Sequence, residues 1–100
     1  MASQKTLADI QALLRQEMPG LAERFGVASL ALFGSFVRAE VRPESDLDIL
    51  ARFHRTPGLL RFIELENYLC DLLGLPVDLV EAGSLKPHIG RRVLQEAVPI

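Results

Sequence analysis

One cysteine, Cys70, stands in the whole chain, so no intrachain disulfide can form and no cysteine-based zinc site can be assembled. Long apolar runs are missing too. No stretch approaches the roughly 18 residues a membrane-spanning helix needs. The opening MASQKTLADIQALLRQEMPG is interrupted by charge too often for a signal peptide. The expectation is a cytoplasmic protein with no membrane partner. Positive charge is not in excess: 11 Lys and Arg against 13 Asp and Glu leave a net charge of −2. No basic field therefore marks nucleic acid as a direct partner. A nucleotide is still allowed, because a metal and one or two basic groups can meet its charge locally. There is no internal repeat and no low-complexity stretch. What is present is 100 residues, 49% of them hydrophobic, enough for one real core and too few for two, so residues 1–100 are expected to form a single domain.

Hydrophobic spacing predicts the elements. Leu7, Ile10, Leu13 and Leu14 mark a helix over Thr6 to Glu17, which Met18-Pro19-Gly20 should break or kink before Leu21 to Phe25 continues it to a cap at Gly26. Val27 to Phe33 reads as a first strand, Phe36 to Ala39 as a helical turn and Val41 to Ser45 as a loop. Leu47 to Phe53 alternates as a second strand, with Leu47, Ile49 and Ala51 on one side and Asp46, Asp48 and Leu50 on the other. Leu59 to Leu73 is a long helix with Leu59, Phe62, Ile63, Leu69, Cys70 and Leu73 as its expected inner stripe, closed by Gly74. Pro76 to Val80 is a third strand containing Asp78, and Ser84 caps a last helix running through Ile89, Val93, Leu94 and Ala97. The order α-β-(α)-β-α-β-α implies an α/β (α+β) fold: a small mixed sheet with helices packed on it.

The stretch LALFGSFVRAEVRPESDLDIL, residues 30–50, is anomalous for a core element, because an unpaired carboxylate buried in an apolar strand costs several kcal/mol or more. Asp46 and Asp48 nevertheless lie on one side of the second strand. A helical crossover makes the second and third strands parallel, and Asp78 is near the start of the third, so the three carboxylates should meet at one end of the sheet. Gly34-Ser35 reaches that end most simply if the first strand runs antiparallel to the second.

Three carboxylates this close repel one another unless a cation intervenes. Oxygen-only ligands suit Mg²⁺ or Mn²⁺, held by a few carboxylates, waters and substrate phosphates. Gly34 allows close approach of backbone to a phosphate. Ser35 opens a helical turn with a hydroxyl and N–H groups for an anion, and Arg38, one turn on, can meet a phosphate oxygen. Phosphate donors beside such a cluster imply phosphoryl or nucleotidyl transfer with two metal ions.

Gly34-Ser35, ten residues, then Asp46-Leu47-Asp48 resembles the G-S-x10-D-x-D signature of polymerase-beta-like nucleotidyltransferases. The flanking LFGSFVR and SDLDIL, the later VDLV and the ending LKPHIGRRVLQEAVPI are similar to the minimal nucleotidyltransferase (MNT) family over nearly the whole chain. By that resemblance Asp46 and Asp48 hold both Mg²⁺ ions. Asp78 holds the catalytic one and helps deprotonate the attacking hydroxyl, while Gly34, Ser35 and Arg38 hold the triphosphate of ATP. The chain departs from many relatives at Ala39, where they carry glycine, a change expected to narrow the approach of backbone to phosphate. MNT relatives are typically paired with a HEPN protein, a helical toxin, as antitoxins that adenylylate one of its tyrosines. The resemblance thus implies AMP transfer from ATP to a toxin tyrosine within a hetero-oligomer. The alternatives are an antitoxin that neutralises by binding alone, and transfer to a small molecule such as an aminoglycoside, for which no substrate domain is evident.

Blander roles suit the remaining polar residues. Glu40, Arg42 and Glu44 read as loop charges, His54 and His88 as surface residues without ligand partners, and Arg91-Arg92 as a solvated face. Cys70 is expected in the core. Tyr68 is expected half exposed, with self-modification as a minor possibility. The tail Val98-Pro99-Ile100 and the last helix are expected to cover a partner.

Overall fold

A computed structural model describes residues 6–34, 46–84, 91, 93 and 95–100. The first helix, α1 (Leu7–Phe25), opens on a reciprocal cap: Thr6 Oγ1 accepts from the Asp9 N–H at 3.1 Å and Asp9 Oδ2 accepts from the Thr6 N–H at 3.1 Å. Of the expected break or kink at Pro19, the helix shows no break and runs on through it to Phe25. Proline removes one N–H, but Arg15, Pro19 and Gly20 are all exposed, so water can take the orphaned carbonyl of Arg15. The buried stripe Ile10, Leu14, Leu21 and Phe25 holds both halves against the core. Gly26 ends the helix at φ 71°, its N–H donating to the Ala22 carbonyl at 3.1 Å.

Four strands form one sheet: β1 (Val27–Phe33), β2 (Leu47–Phe53), β3 (Val77–Glu81) and β4 (Val98–Pro99), in the order β3-β2-β1-β4. β1 and β2 are antiparallel and β2 and β3 parallel, as expected from the sequence. The second helix, α2 (Leu59–Leu73), makes the β2–β3 crossover. Cross-strand partners show which residues share a face: Leu32, Ile49 and Leu79 align, as do Leu30 with Ala51 and Leu47 with Val77. All of these belong to the buried core beneath α1 and α2. The opposite face carries Ala31, Leu50 and Val80 in one row and Phe33, Asp48 and Asp78 in the next.

One expectation needs correction. The inner stripe of α2 is Leu65, Leu69 and Leu73, with Phe62 and Cys70 half-buried, whereas Leu59 and Ile63 are 75% and 42% exposed. The pattern LLRFI fits either face, and burial of Leu65, Leu69 and Leu73 in one cluster with residues of α1 and the sheet settles the phase. In the tail, Val98 and Pro99 pair antiparallel to Leu32 and Ala31 of β1, and Ile100 packs on the chain's own core. A two-residue strand containing proline is tolerable only at an edge, and that is where it lies. Both outer edges are tied to helices by side chains. Glu66 of α2 accepts from the Leu79 N–H on β3 at 2.9 Å, and Gln11 of α1 donates to the Pro99 carbonyl on β4 at 2.9 Å.

The turn over 36–39, the loop over 41–45 and most of the last helix lie outside the described residues; Arg91, Val93, Gln95 and Glu96 are helical. Among the described residues, no helix is long and apolar enough to cross a membrane.

Candidate active site

The antiparallel and parallel pairings bring the expected residues to one end of the sheet. Asp48 is the register partner of Phe33 on β1 and of Asp78 on β3. Aligned residues on adjacent strands lie about 5 Å apart with side chains on the same face, so Asp48 and Asp78 are immediate neighbours. Asp46, just before β2, is exposed, as is Asp78; Asp48 is half-buried. Gly34 follows Phe33 and is buried beside them. Ser35 and Arg38, expected to contact phosphate, lie outside the described residues.

Gly34 has a second role that sequence reading missed. Its φ is +82°, and a Cβ built there would overlap Asp48 Oδ2, with Cγ at 3.0 Å and Cβ at 3.3 Å. Only glycine fits, both for its backbone and for the carboxylate lying against it. The G-S and D-x-D halves of the motif are therefore in van der Waals contact. This position seats the Asp48 carboxylate against Gly34 at the end of β1. Among the described residues no three His, Cys, Asp or Glu side chains are gathered closely enough to hold one ion.

The donor set nonetheless fits a hard divalent cation: three carboxylates, two of them exposed, on adjoining positions of one sheet end, with only oxygen to offer. His54 is exposed at the other end of β2 and takes no part. Tyr68 is also remote. It belongs to α2, on the far side of the sheet from the Asp48 row, and its hydroxyl donates to a Glu17 carboxylate oxygen. That bond, burial and the Glu17 charge raise the Tyr68 pKa, with Arg24 opposing.

The sequence matches the Nucleotidyltransferase domain family over residues 14–100. The chain belongs to the nucleotidyltransferase family. This nucleotidyltransferase is 52% identical to Protein adenylyltransferase MntA of Thermococcus cleftensis, over 93% of this chain and 94% of the relative. A solved structure described provisionally as a minimal nucleotidyltransferase superposes with a TM-score of 0.80 at 36% identity, covering 99% of this chain and 100% of the other. A crystal structure of a toxin–antitoxin with AMP-PNP superposes with a TM-score of 0.68 at 26% identity, covering 88% of this chain and 66% of the other. The described four-stranded sheet with α1 and α2 on one face is thus an α+β fold shared with the first of these structures.

Proposed function

We propose that the chain transfers AMP from ATP, with Mg²⁺, to a tyrosine hydroxyl of a HEPN-type toxin and so acts as its antitoxin. The observation that carries this reading is the registered Asp48–Asp78 pair beside Gly34, in a chain whose 52%-identical relative is named a protein adenylyltransferase. The toxin–antitoxin relative with AMP-PNP supports both an ATP-like substrate and a toxin partner.

In this reading Asp46, Asp48 and Asp78 would hold the Mg²⁺ ions, which when bound offset phosphate charge and orient the reacting oxygens. Gly34, Ser35 and Arg38 hold the triphosphate so that its α-phosphorus faces the acceptor. Asp78, the most exposed side of the carboxylate row, takes the proton of the tyrosine hydroxyl. The phenolic oxygen then bonds to the α-phosphorus as the bond to pyrophosphate breaks. Holding the partner and nucleotide together supplies much of the rate.

The test is mass spectrometry of the HEPN-type partner after incubation with the chain and Mg-ATP. A gain of one or more AMP units on tyrosine is expected. Stable binding with no change of mass would leave an antitoxin that acts by occlusion. Modification of an aminoglycoside in place of the protein would point to the small-molecule reading.

A further inference from the structure

The outer edge of β3 carries a bond that the transfer chemistry does not use. In a parallel ladder, alternate residues turn both backbone groups toward the same neighbour. The Pro76 carbonyl accepts from the Leu47 N–H of β2 at 2.9 Å, so Asp78 and Val80 also direct their backbone groups to β2. Leu79 therefore faces the open edge, and its N–H donates to a Glu66 carboxylate oxygen at 2.9 Å. Glu66 stands in the middle of α2, between Leu65 and Leu69, both at 0% exposure. The helix that carries it is thus anchored in the core. The bond joins this anchored helix to the residue directly after Asp78.

Asp78 needs such an anchor. Its side chain is exposed, so its place beside Asp48 is set by its backbone rather than by packing. β3 has five residues and, among the described residues, pairs with β2 alone at the end of the sheet. Val77 and Leu79 are buried in the core cluster, but apolar burial is non-directional and lets a strand slide or tilt. A charge-assisted hydrogen bond has a preferred length and direction and resists both. We propose that Glu66 is a positioning residue of the transfer site: by holding the Leu79 N–H it keeps Asp78 aligned with Asp48 for the metal-bound nucleotide. The inference rests on the function proposed above and adds a residue that touches neither nucleotide nor acceptor.

The experiment compares the parent with Glu66→Ala, Glu66→Gln and Ile10→Val, freshly prepared at low concentration and at a temperature where all are folded. Glutamine keeps an acceptor oxygen for the Leu79 N–H and removes the charge. Ile10→Val, at 0% exposure on α1, lowers stability away from the β3 edge. The readouts are amide exchange at Leu79, Mn²⁺ affinity by electron paramagnetic resonance with a non-hydrolysable ATP analogue, and kcat and KM for transfer to the HEPN-type partner. Glu66→Ala should speed Leu79 exchange and weaken Mn²⁺ binding, each several-fold. It should also lower kcat about tenfold or more with KM for the partner unchanged, since a misplacement of about 1 Å can cost about a hundredfold. Glu66→Gln and Ile10→Val should keep Mn²⁺ affinity and kcat close to the parent's. Parent Mn²⁺ affinity and kcat in Glu66→Ala would overturn the positioning role and leave the transfer function standing. So would an equal loss in Ile10→Val, which would reduce the effect to stability. A Glu66→Gln variant as impaired as Glu66→Ala would overturn it too, because the charge and not the bond would then be the cause. A parent that neither binds Mn²⁺ nor modifies the partner would overturn the function, and the positioning role with it.

Discussion

Replacing Gly34 with alanine tests how tightly the two halves of the site are joined. The new Cβ meets two separate penalties. The first is the backbone: a side chain at φ +82° costs about 1–2 kcal/mol. The second is the overlap with the Asp48 carboxylate, whose Cγ would stand at 3.0 Å; forcing extra volume into a packed site costs roughly 1–3 kcal/mol. Together they come to about 2–5 kcal/mol. In a domain of this size each kcal/mol shifts the melting temperature by about 4–8 °C, so Gly34→Ala should lower it by about 10 °C or more. The two penalties separate in a double-mutant cycle. An Asp48→Ala background removes the overlap with the carboxylate and leaves the backbone cost of about 1–2 kcal/mol with a close contact to the residue-48 Cβ at 3.3 Å, so Gly34→Ala should then cost less, and the coupling measures the carboxylate contact. Thermal and urea unfolding of the four proteins give the numbers. If Gly34→Ala costs the same in both backgrounds, the carboxylate is not seated on Gly34 and the reasoning fails.

Asp48→Asn should abolish Mg²⁺-dependent transfer yet melt in chelator at or above the parent's temperature, since it removes one of several neighbouring like charges; Mg-ATP should raise the parent's melting temperature more than the variant's. Ser35→Ala and Arg38→Ala should each weaken ATP binding at least several-fold, by calorimetry, without lowering the melting temperature by more than a few degrees. Leu69→Ala, at 0% exposure in the core, should cost about 2–5 kcal/mol in urea unfolding. Tyr68 is the only tyrosine, so tyrosinate absorbance reports it alone and should show titration above the ordinary value. A folded-state pKa that is raised adds stability below the unfolded pKa and loses it as pH climbs through the folded one. Tyr68→Phe should therefore flatten the decline in melting temperature above about pH 10.

The sheet was legible because its signals are local and mutually consistent: alternation in LDILARF, apolar runs of strand length, and crossover lengths that set direction. The meeting of Asp46, Asp48 and Asp78 at one end of the sheet followed from those alone, while the exact Asp48–Asp78 register did not. Other features depended on tertiary context. The phase of α2 could not be read from LLRFI, since either face is apolar until α1 packs on one. Continuation through Pro19 depended on which side of the helix faces water. β4 was hidden because two residues including a proline carry no strand signal by themselves. The contact between Gly34 and Asp48 arises from antiparallel pairing across an intervening stretch of chain, which spacing can suggest but cannot measure.

The side chains that tie the sheet edges to the helices have a consequence for how this protein behaves at high concentration. An open strand edge is a template on which another chain can pair its backbone, the route to fibrillar self-assembly. On β3 the central outward N–H is already taken by Glu66. On β4 the outward residue is Pro99, which has no N–H, and its carbonyl is taken by Gln11. Copies of the chain are thus denied the easiest way of stacking on one another. Glu66→Ala would reopen the template on β3, and the cost should appear as aggregation on storage.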